Sequence, residues 1–358
     1  MEQRTGHKGR DRISYNAILR KTLTKNVPLN VLFEVTHKCN LNCRHCYISP
    51  KDEPELTFGE IDDILQQLAE KNSLFLTLSG GEPFIREDIF EIAASARRKG
   101  FTLTIYSNGT LITPQLADRI ADLNVLQLGI SIYGSKPSTH DAITQTPGSF
   151  KRSVNALKML RERNIKTSLK FTLMKPNFQE FEATNKLADD LGADFSFGFI
   201  VAPKTDRTTK NLALRMGTRE LKHIFNKSII YPPEILEKKV NAKRVVEQIN
   251  NAMLCGAGNN SCSISPHGDL QACLMLPLEV GNLRSTSFKD LWENSQVLNK
   301  LRNLRFSDLS DKCTECISFG KCFYCPGLAM LENGDFLSPV KFACQISKIE
   351  QSVVRSRA

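Results

Sequence analysis

The chain has 358 residues, room for one large or two ordinary domains, and its 41% hydrophobic and 24% charged residues are ordinary for a globular protein. The net charge of +10, from 48 basic and 38 acidic residues, favours an acidic partner or substrate, but the basic residues are dispersed, so nucleic acid is not expected. Met1 to Arg12 is polar and no 18-residue apolar run occurs, which argues against a signal peptide and a membrane partner and for a cytoplasmic location. Eleven cysteines in such a chain make a disulfide framework a poor account and metal ligation the leading one.

Residues 1–27 read as a polar extension, helical around Tyr15 to Leu23 and broken by Pro28. Val31 to Thr36 reads as a buried, β-branched strand. It runs into Cys39-Asn40-Leu41-Asn42-Cys43-Arg44-His45-Cys46, spaced C-x3-C-x2-C. Thiolates suit zinc or iron–sulfur clusters. A four-iron cluster takes four cysteines, so three in a tight loop leave one metal open for a substrate or cosubstrate.

Thr57 to Lys71 is expected to be a helix, with Thr57 and Glu60 as a capping box and Ile61, Ile64, Leu65 and Leu68 inward. The strand Leu74 to Leu78 then enters Ser79-Gly80-Gly81-Glu82-Pro83, where two glycines permit close backbone approach to a ligand and Glu82 could accept from an ammonium group. Helix Glu87–Lys99 and strand Thr102–Tyr106 lead to Ser107-Asn108-Gly109, and helix Pro114–Leu123 leads to strand Val125–Ile132, which carries Ser131. Ser135 to Gly148 reads as a loop, in which His140-Asp141 is taken as a turn or helix cap. Helix Ser149–Arg163, strand Thr167–Leu173, helix Phe178–Leu191 and strand Asp194–Val201 complete six strand–helix units, and this alternation implies a parallel sheet with right-handed crossovers.

These motifs, in this order, resemble the radical S-adenosylmethionine (SAM) enzymes. The resemblance implies an α/β fold, a partial (β/α)6 TIM-like barrel over residues 28–217, whose [4Fe–4S] cluster is held by Cys39, Cys43 and Cys46. It implies that SAM occupies the open iron and is cleaved by one electron to a 5′-deoxyadenosyl radical that abstracts a substrate hydrogen. Gly80, Gly81, Glu82 and Pro83 would then bind the SAM amino group, His45 would lie near the adenine, and Ser107, Asn108 and Ser131 would contact the rest of the cofactor.

Residues 218–250 read as a helical bridge, and residues 251–358 hold the remaining eight cysteines: Cys255, Cys262, Cys273, Cys313, Cys316, Cys322, Cys325 and Cys344. Eight thiols make two complete four-thiolate sites, either iron–sulfur or zinc on spacing alone. The arrangement resembles the SPASM domain, a small cysteine-rich extension with two auxiliary [4Fe–4S] clusters, for three clusters in all. Carried over from that family, Cys255, Cys262, Cys273 and Cys325 form one site and Cys313, Cys316, Cys322 and Cys344 the other. Only Phe323 and Tyr324 separate Cys322 from Cys325, shorter than the usual spacing, which leaves the cluster served by Cys325 open.

The resemblance implies as its first reading an enzyme that crosslinks, epimerises or oxidises a ribosomal peptide or protein, supplied with electrons by a flavodoxin- or ferredoxin-type reductant. Leu274 stands where sulfatase-maturing relatives carry an acidic base, so that activity is not expected. Alternatives are side-chain modification of a tetrapyrrole or other cofactor precursor, whose carboxylates suit the +10 charge, and a non-catalytic iron–sulfur or zinc protein. No general acid or base is singled out. Trp292 reads as core and Tyr324 as packing.

Overall fold

The structure is a computed structural model that describes residues 17–49, 51–227, 230, 250–316, 318–319 and 322–357. Most of the expected N-terminal extension and of the helical bridge lies outside the described residues; residues 17–24 form helix α1.

A nine-stranded sheet, open at both edges, carries the fold in the order β6-β5-β4-β3-β2-β1-β7-β8-β9. The first six strands are β1 (Asn30–Thr36), β2 (Phe75–Gly80), β3 (Thr102–Ser107), β4 (Gln127–Ser131), β5 (Thr167–Thr172) and β6 (Asp194–Gly198), all parallel to their neighbours. Helices connect them: α2 (Phe58–Glu70), α3 (Ile89–Arg98), α4 (Pro114–Asp122), α5 (Pro137–Thr144), α6 (Ser149–Glu162) and α7 (Phe181–Asp190). Helix α2 begins with the expected capping box: the Thr57 N–H donates to the Glu60 carboxylate at 2.7 Å and the Glu60 N–H to the Thr57 hydroxyl at 3.3 Å. The strands alternate, as a half-buried sheet must. On β3, Leu103, Ile105 and Ser107 are buried while Thr102, Thr104 and Tyr106 are partly open. Phe33, Leu76, Leu78, Leu103, Leu128, Ile130 and Leu169 share one core, each fully buried, and each such burial contributes about 1.5–3 kcal/mol.

Two expectations need correction. The stretch read as the loop Ser135–Gly148 contains α5, started by Pro137 and burying His140, Ile143 and Thr144. It spans only about two turns, and its buried side is completed by the polar groups His140 and Thr144. Asp141 does act as a cap: it accepts from the Gly148 and Phe150 N–H groups at 2.7 and 2.8 Å, tying α5 to the start of α6. The second correction is that the sheet does not stop at six strands. β7 (Ser261–Ile264) pairs in parallel with β1, placing Cys262 opposite Val31, and the antiparallel hairpin β8 (Asp269–Cys273) and β9 (Leu276–Asn282) extends it. The cysteine-rich region therefore grows from the edge of the barrel sheet. Nothing in its own sequence names β1 as the pairing partner, because strand pairing is non-local.

The chain continues through α8 (Thr218–Phe225), α9 (Phe288–Asn294), α10 (Gln296–Asn303), the single turn α11 (Asp311–Thr314), α12 (Pro326–Asn333) and α13 (Lys341–Arg357). Ion pairs join the later elements to the barrel: Arg215 to Glu332 at 2.6 Å, Arg284 to Glu60 at 2.8 Å and Lys51 to Asp269 at 3.2 Å. Trp292 is buried, and its indole N–H donates to the Asn26 carbonyl at 2.6 Å, as a core tryptophan needs. Tyr324 packs with its hydroxyl on the Phe336 carbonyl at 2.6 Å.

Candidate active site

The loops after β1, β2, β3 and β4, with Lys170 from β5 and the turn between β7 and β8, enclose a cavity of about 780 Å³. This is the C-terminal end of the parallel strands, where loops from several strands converge in barrels. Cys39, Cys43 and Cys46 line it, together with Gly80, Gly81, Ser107, Asn108, Ser131 and His45. Glu82 and Pro83 do not line the cavity; they stand behind it, and both are buried.

The cysteine loop is held from both sides. Its Asn42 and Arg44 N–H groups donate to the Thr144 and Ile143 carbonyls of α5 at 3.2 and 2.9 Å. The Asn40 amide reaches the Thr110 hydroxyl at 2.8 Å, and the Asn108 amide reaches Asn40 at 2.9 Å and the Cys39 thiol at 3.9 Å. Beyond the loop, the Tyr47 hydroxyl donates to buried Glu34 at 2.7 Å. Burial raises the Cys43 thiol to about 12, and the neighbouring Cys46 and Cys39 thiols add to the shift. Burial likewise raises Cys39 and Cys46. A positive iron core would reverse this, because thiolates crowded together need a cation between them. The donor set therefore fits an iron–sulfur cluster.

Gly80 and Gly81 serve a purpose the motif alone conceals. A Cβ on Gly80 would lie 2.1 Å from the Thr36 carbonyl oxygen, and one on Gly81 would lie 2.2 Å from that of Lys38. The Gly81 and Glu82 N–H groups donate to those same carbonyls at 2.8 and 2.9 Å. The glycines let the loop after β2 continue its pairing directly against the cysteine loop, so they shape the wall as well as opening it.

Glu82 likewise ties loops together. Its carboxylate accepts from the Ser107 hydroxyl at 2.8 Å, the Asn108 N–H at 2.7 Å and the Phe84 N–H at 3.2 Å. It is fully buried, and burial lifts its pKa to about 7 against the pull of those three donors. Between its unperturbed 4.5 and about 7 the folded chain holds a proton that the unfolded chain has lost, so this group's stabilisation is complete below that window and is lost as pH rises through it. Glu82→Gln, neutral throughout, is expected to flatten the pH dependence. Urea midpoints of the cluster-free protein at about pH 5 and pH 7.5 should differ more for wild type than for the variant, and equal slopes would refute the assignment.

Apart from His45, which belongs to the cysteine motif, several cavity residues carry no motif and were not singled out from sequence. Lys170 lies over the Tyr106 ring with its Nζ 3.8 Å from the centroid. Lys38 and Lys204 line the cavity with no ion-pair partner among the described residues. The His45 ring stands edge-on to Tyr133 at 4.4 Å, and burial lowers its pKa to about 4, so it is neutral near pH 7. His37 and His267 also line the cavity. For Lys38, Lys170, Lys204, Tyr133, His37 and His267 the only sequence signal is their place in or near the ends of the strands, which becomes meaningful once the strands are assembled.

The other eight cysteines gather into two groups. The Cys273 thiol feels the charges of Cys255 and Cys325, Cys262 feels Cys273, and Cys325 feels Cys255. Burial is the main cause in each case and raises Cys273 to about 11. The second group joins Cys322 to Cys313, Cys344 and Cys316, and these four line a separate cavity of about 750 Å³. Backbone N–H groups point at the sulfurs of Cys255, Cys273 and Cys316, at 3.4, 3.5 and 3.4 Å, as suits thiolates that hold iron. Cys325 sits with Cys255 and Cys273, whatever its spacing from Cys322.

Comparison with known proteins gives the family and the extension. The radical SAM superfamily matches residues 33–188, and SPASM, an iron–sulfur cluster-binding domain, matches residues 255–317. The chain is 31% identical to the AdoMet-dependent heme synthase of Methanosarcina barkeri, over 87% of this chain and 95% of that one. It is 26% identical to the antilisterial bacteriocin subtilosin biosynthesis protein AlbA of Bacillus subtilis, over 83% of this chain and 67% of that one. Among solved structures, Streptococcus suis SuiB bound to precursor peptide SuiA shares the fold with a TM-score of 0.70 at 16% identity, covering 96% of this chain and 83% of that one.

Proposed function

We propose that this chain, which belongs to the radical SAM superfamily and carries a SPASM domain, modifies a side chain of a carboxylate-bearing tetrapyrrole. Membership brings a SAM-binding [4Fe–4S] cluster and auxiliary clusters, which sets aside a non-catalytic zinc protein. When bound, the SAM-site cluster supplies the electron that splits SAM to methionine and a 5′-deoxyadenosyl radical, which takes a hydrogen from the substrate.

The protein's own part is to hold, orient and enclose. Cys39, Cys43 and Cys46 would hold the first cluster, with Asn108 as an outer hydrogen-bond donor to Cys39. Gly80, Gly81, Ser107, Asn108 and Ser131 form the wall that SAM would face, and Glu82 keeps two of its loops in register from behind. Neutral His45 and the Tyr133 ring give that wall an apolar patch suited to a base. Lys38, Lys204 and Lys170 offer ammonium groups to carboxylates. Cys255, Cys262, Cys273 and Cys325 would hold one auxiliary cluster, and Cys313, Cys316, Cys322 and Cys344 the other.

The observation that carries the tetrapyrrole reading is the nearly full-length likeness to AdoMet-dependent heme synthase. It displaces the peptide or protein substrate expected first from sequence, because the shared fold and the two-cluster extension do not distinguish those substrates. A peptide remains the second reading, favoured by the likeness to AlbA.

The test is anaerobic turnover of the reconstituted enzyme with SAM, a chemical reductant and porphyrins carrying two or four propionate side chains. The expected result is 5′-deoxyadenosine together with a mass change in the porphyrin. Nucleoside release with every porphyrin unaltered, and a mass change in a peptide encoded beside the gene, would reverse the order of the two readings.

A further inference from the structure

The second cysteine group lies beneath a basic face that the chemistry above does not use. Cys313, Cys316, Cys322 and Cys344 are all partly exposed, whereas Cys262 of the first group is buried in the sheet. Their cavity is also lined by Lys312, Lys341 and Lys348, and a smaller one beside it, of about 500 Å³, by Lys348 and Arg355. Among the described residues no carboxylate lines either of them, while the wall of the SAM cavity includes Asp52, Glu53 and Glu55.

Helix α13 builds this face. Lys341, Lys348 and Arg355 follow one another at intervals of about two turns, so they share one side of the helix with Cys344. The stripe is about 21 Å long. The opposite side, with Phe342, Ile346, Ile349 and Val353, is buried in the core. Glu350, the only acid of α13, lies about 200° around the helix from Lys348. Lys341, Lys348 and Arg355, with Lys312 from α11, are exposed and form no ion pair among the described residues.

The chemistry of this face limits what it can receive. Its charge calls for an acidic partner. Four thiolates complete a cluster, so the group beneath leaves no open iron for a ligand. What a partner seated here can exchange with that group is an electron. Electron-transfer encounters bury little surface, below about 1,200 Å², and are steered by charge, which such a stripe supplies.

We propose that the basic face of α13 is the docking surface for an acidic one-electron carrier protein of the flavodoxin or ferredoxin type. Each encounter oxidises the carrier by one electron and reduces the enzyme by one, and no atom crosses the interface. Cleavage of one SAM consumes one such electron. The assignment is independent of whether the substrate is a tetrapyrrole or a peptide.

The experiment measures association of an acidic flavodoxin with the full-length, anaerobically reconstituted enzyme by stopped flow at low and high salt. The face variant is Lys341→Glu/Lys348→Glu/Arg355→Glu. The control, Lys151→Glu/Lys158→Glu/Lys289→Glu, makes the same change in net charge at exposed residues of α6 and α9. The face variant is expected to associate about 10- to 1,000-fold more slowly than wild type, the range of electrostatic steering. The control should stay close to wild type. The difference should fade toward 1 M salt, where the screening length falls to about 3 Å. Formation of 5′-deoxyadenosine driven by flavodoxin should fall with association, while that driven by dithionite, which needs no docking face, should be unchanged. Iron content shows whether each variant has folded; where the face variant has not, Lys341→Gln/Lys348→Gln/Arg355→Gln must slow association in the same direction.

Equal slowing in the face and control variants overturns the assignment, because the effect is then one of net charge. Binding of neither flavodoxin nor an acidic ferredoxin to wild type overturns it as well. Loss of binding to RNA or to anionic lipid vesicles in the face variant, with flavodoxin association unchanged, gives the face to another anion and overturns the proposal.

Discussion

Cys43→Ala is expected to bring reductive cleavage of SAM to background. Outer-shell partners of a metal site are worth about 10–100-fold, so loss of a direct ligand should cost more than ~10²-fold in 5′-deoxyadenosine formation. Cys43 is the middle thiol of the three, and burial and both neighbouring thiols raise it. With it replaced, the two remaining thiols cannot present a cluster with one open iron, and no other cysteine stands near to take its place, since the remaining eight gather in the two groups on the extension. The fold should survive, because the loop is anchored through Asn42, Arg44 and Asn40 rather than through the thiol. The check is chromatographic assay of 5′-deoxyadenosine beside iron counting. Undiminished nucleoside release from a variant short of one cluster's iron would show that the electron reaches SAM elsewhere.

Gly80→Ala is expected to be severe for a different reason. The added methyl carbon would sit 2.1 Å from the Thr36 carbonyl oxygen, and the residue has φ +124, a conformation that side chains rarely adopt. The obstacle is backbone rather than a side chain that could swing aside. Relief requires β2 to part from β1 just where the two strands hold the cysteine loop. A loss of more than about 4 kcal/mol is expected, in the range reached only by such violations. It should be seen as a lowered thermal midpoint or insoluble expression. Gly59→Ala, on α2 with nothing near its Cβ position, is the control and should be neutral or slightly stabilising. Similar midpoints for Gly80→Ala and wild type would mean that the close approach to β1 is not required.

Much of the architecture is legible from residues in a row. The alternating units follow from local pattern: Thr57 and Glu60 mark a helix start, Ile61, Ile64, Leu65 and Leu68 mark its buried face, and short apolar runs mark β1 to β6. Helix α5 escaped because its buried side includes His140 and Thr144, which carry no apolar periodicity. For Gly80 and Glu82 the structure adds a second engagement to the expected one. Their motif points to a ligand, while their atoms are engaged chiefly with the neighbouring loops after β1 and β3.

By itself the sequence determined which thiols can ligate together in the first loop, because ligation depends on thiol type and spacing within short loops, and C-x3-C-x2-C is such a loop; the resemblance that this motif carries is what pointed to iron–sulfur rather than zinc. Only the tertiary structure decided which distant groups share a space. It set Cys325 with Cys255 and Cys273, joined β7 to β1, and brought His267 to within 5.4 Å of His37 across 230 positions of chain. The physical reason is one of range. Helix periods, caps and ligand loops are written within a few residues, whereas sheet pairing and the walls of a cavity depend on contacts that no local pattern encodes.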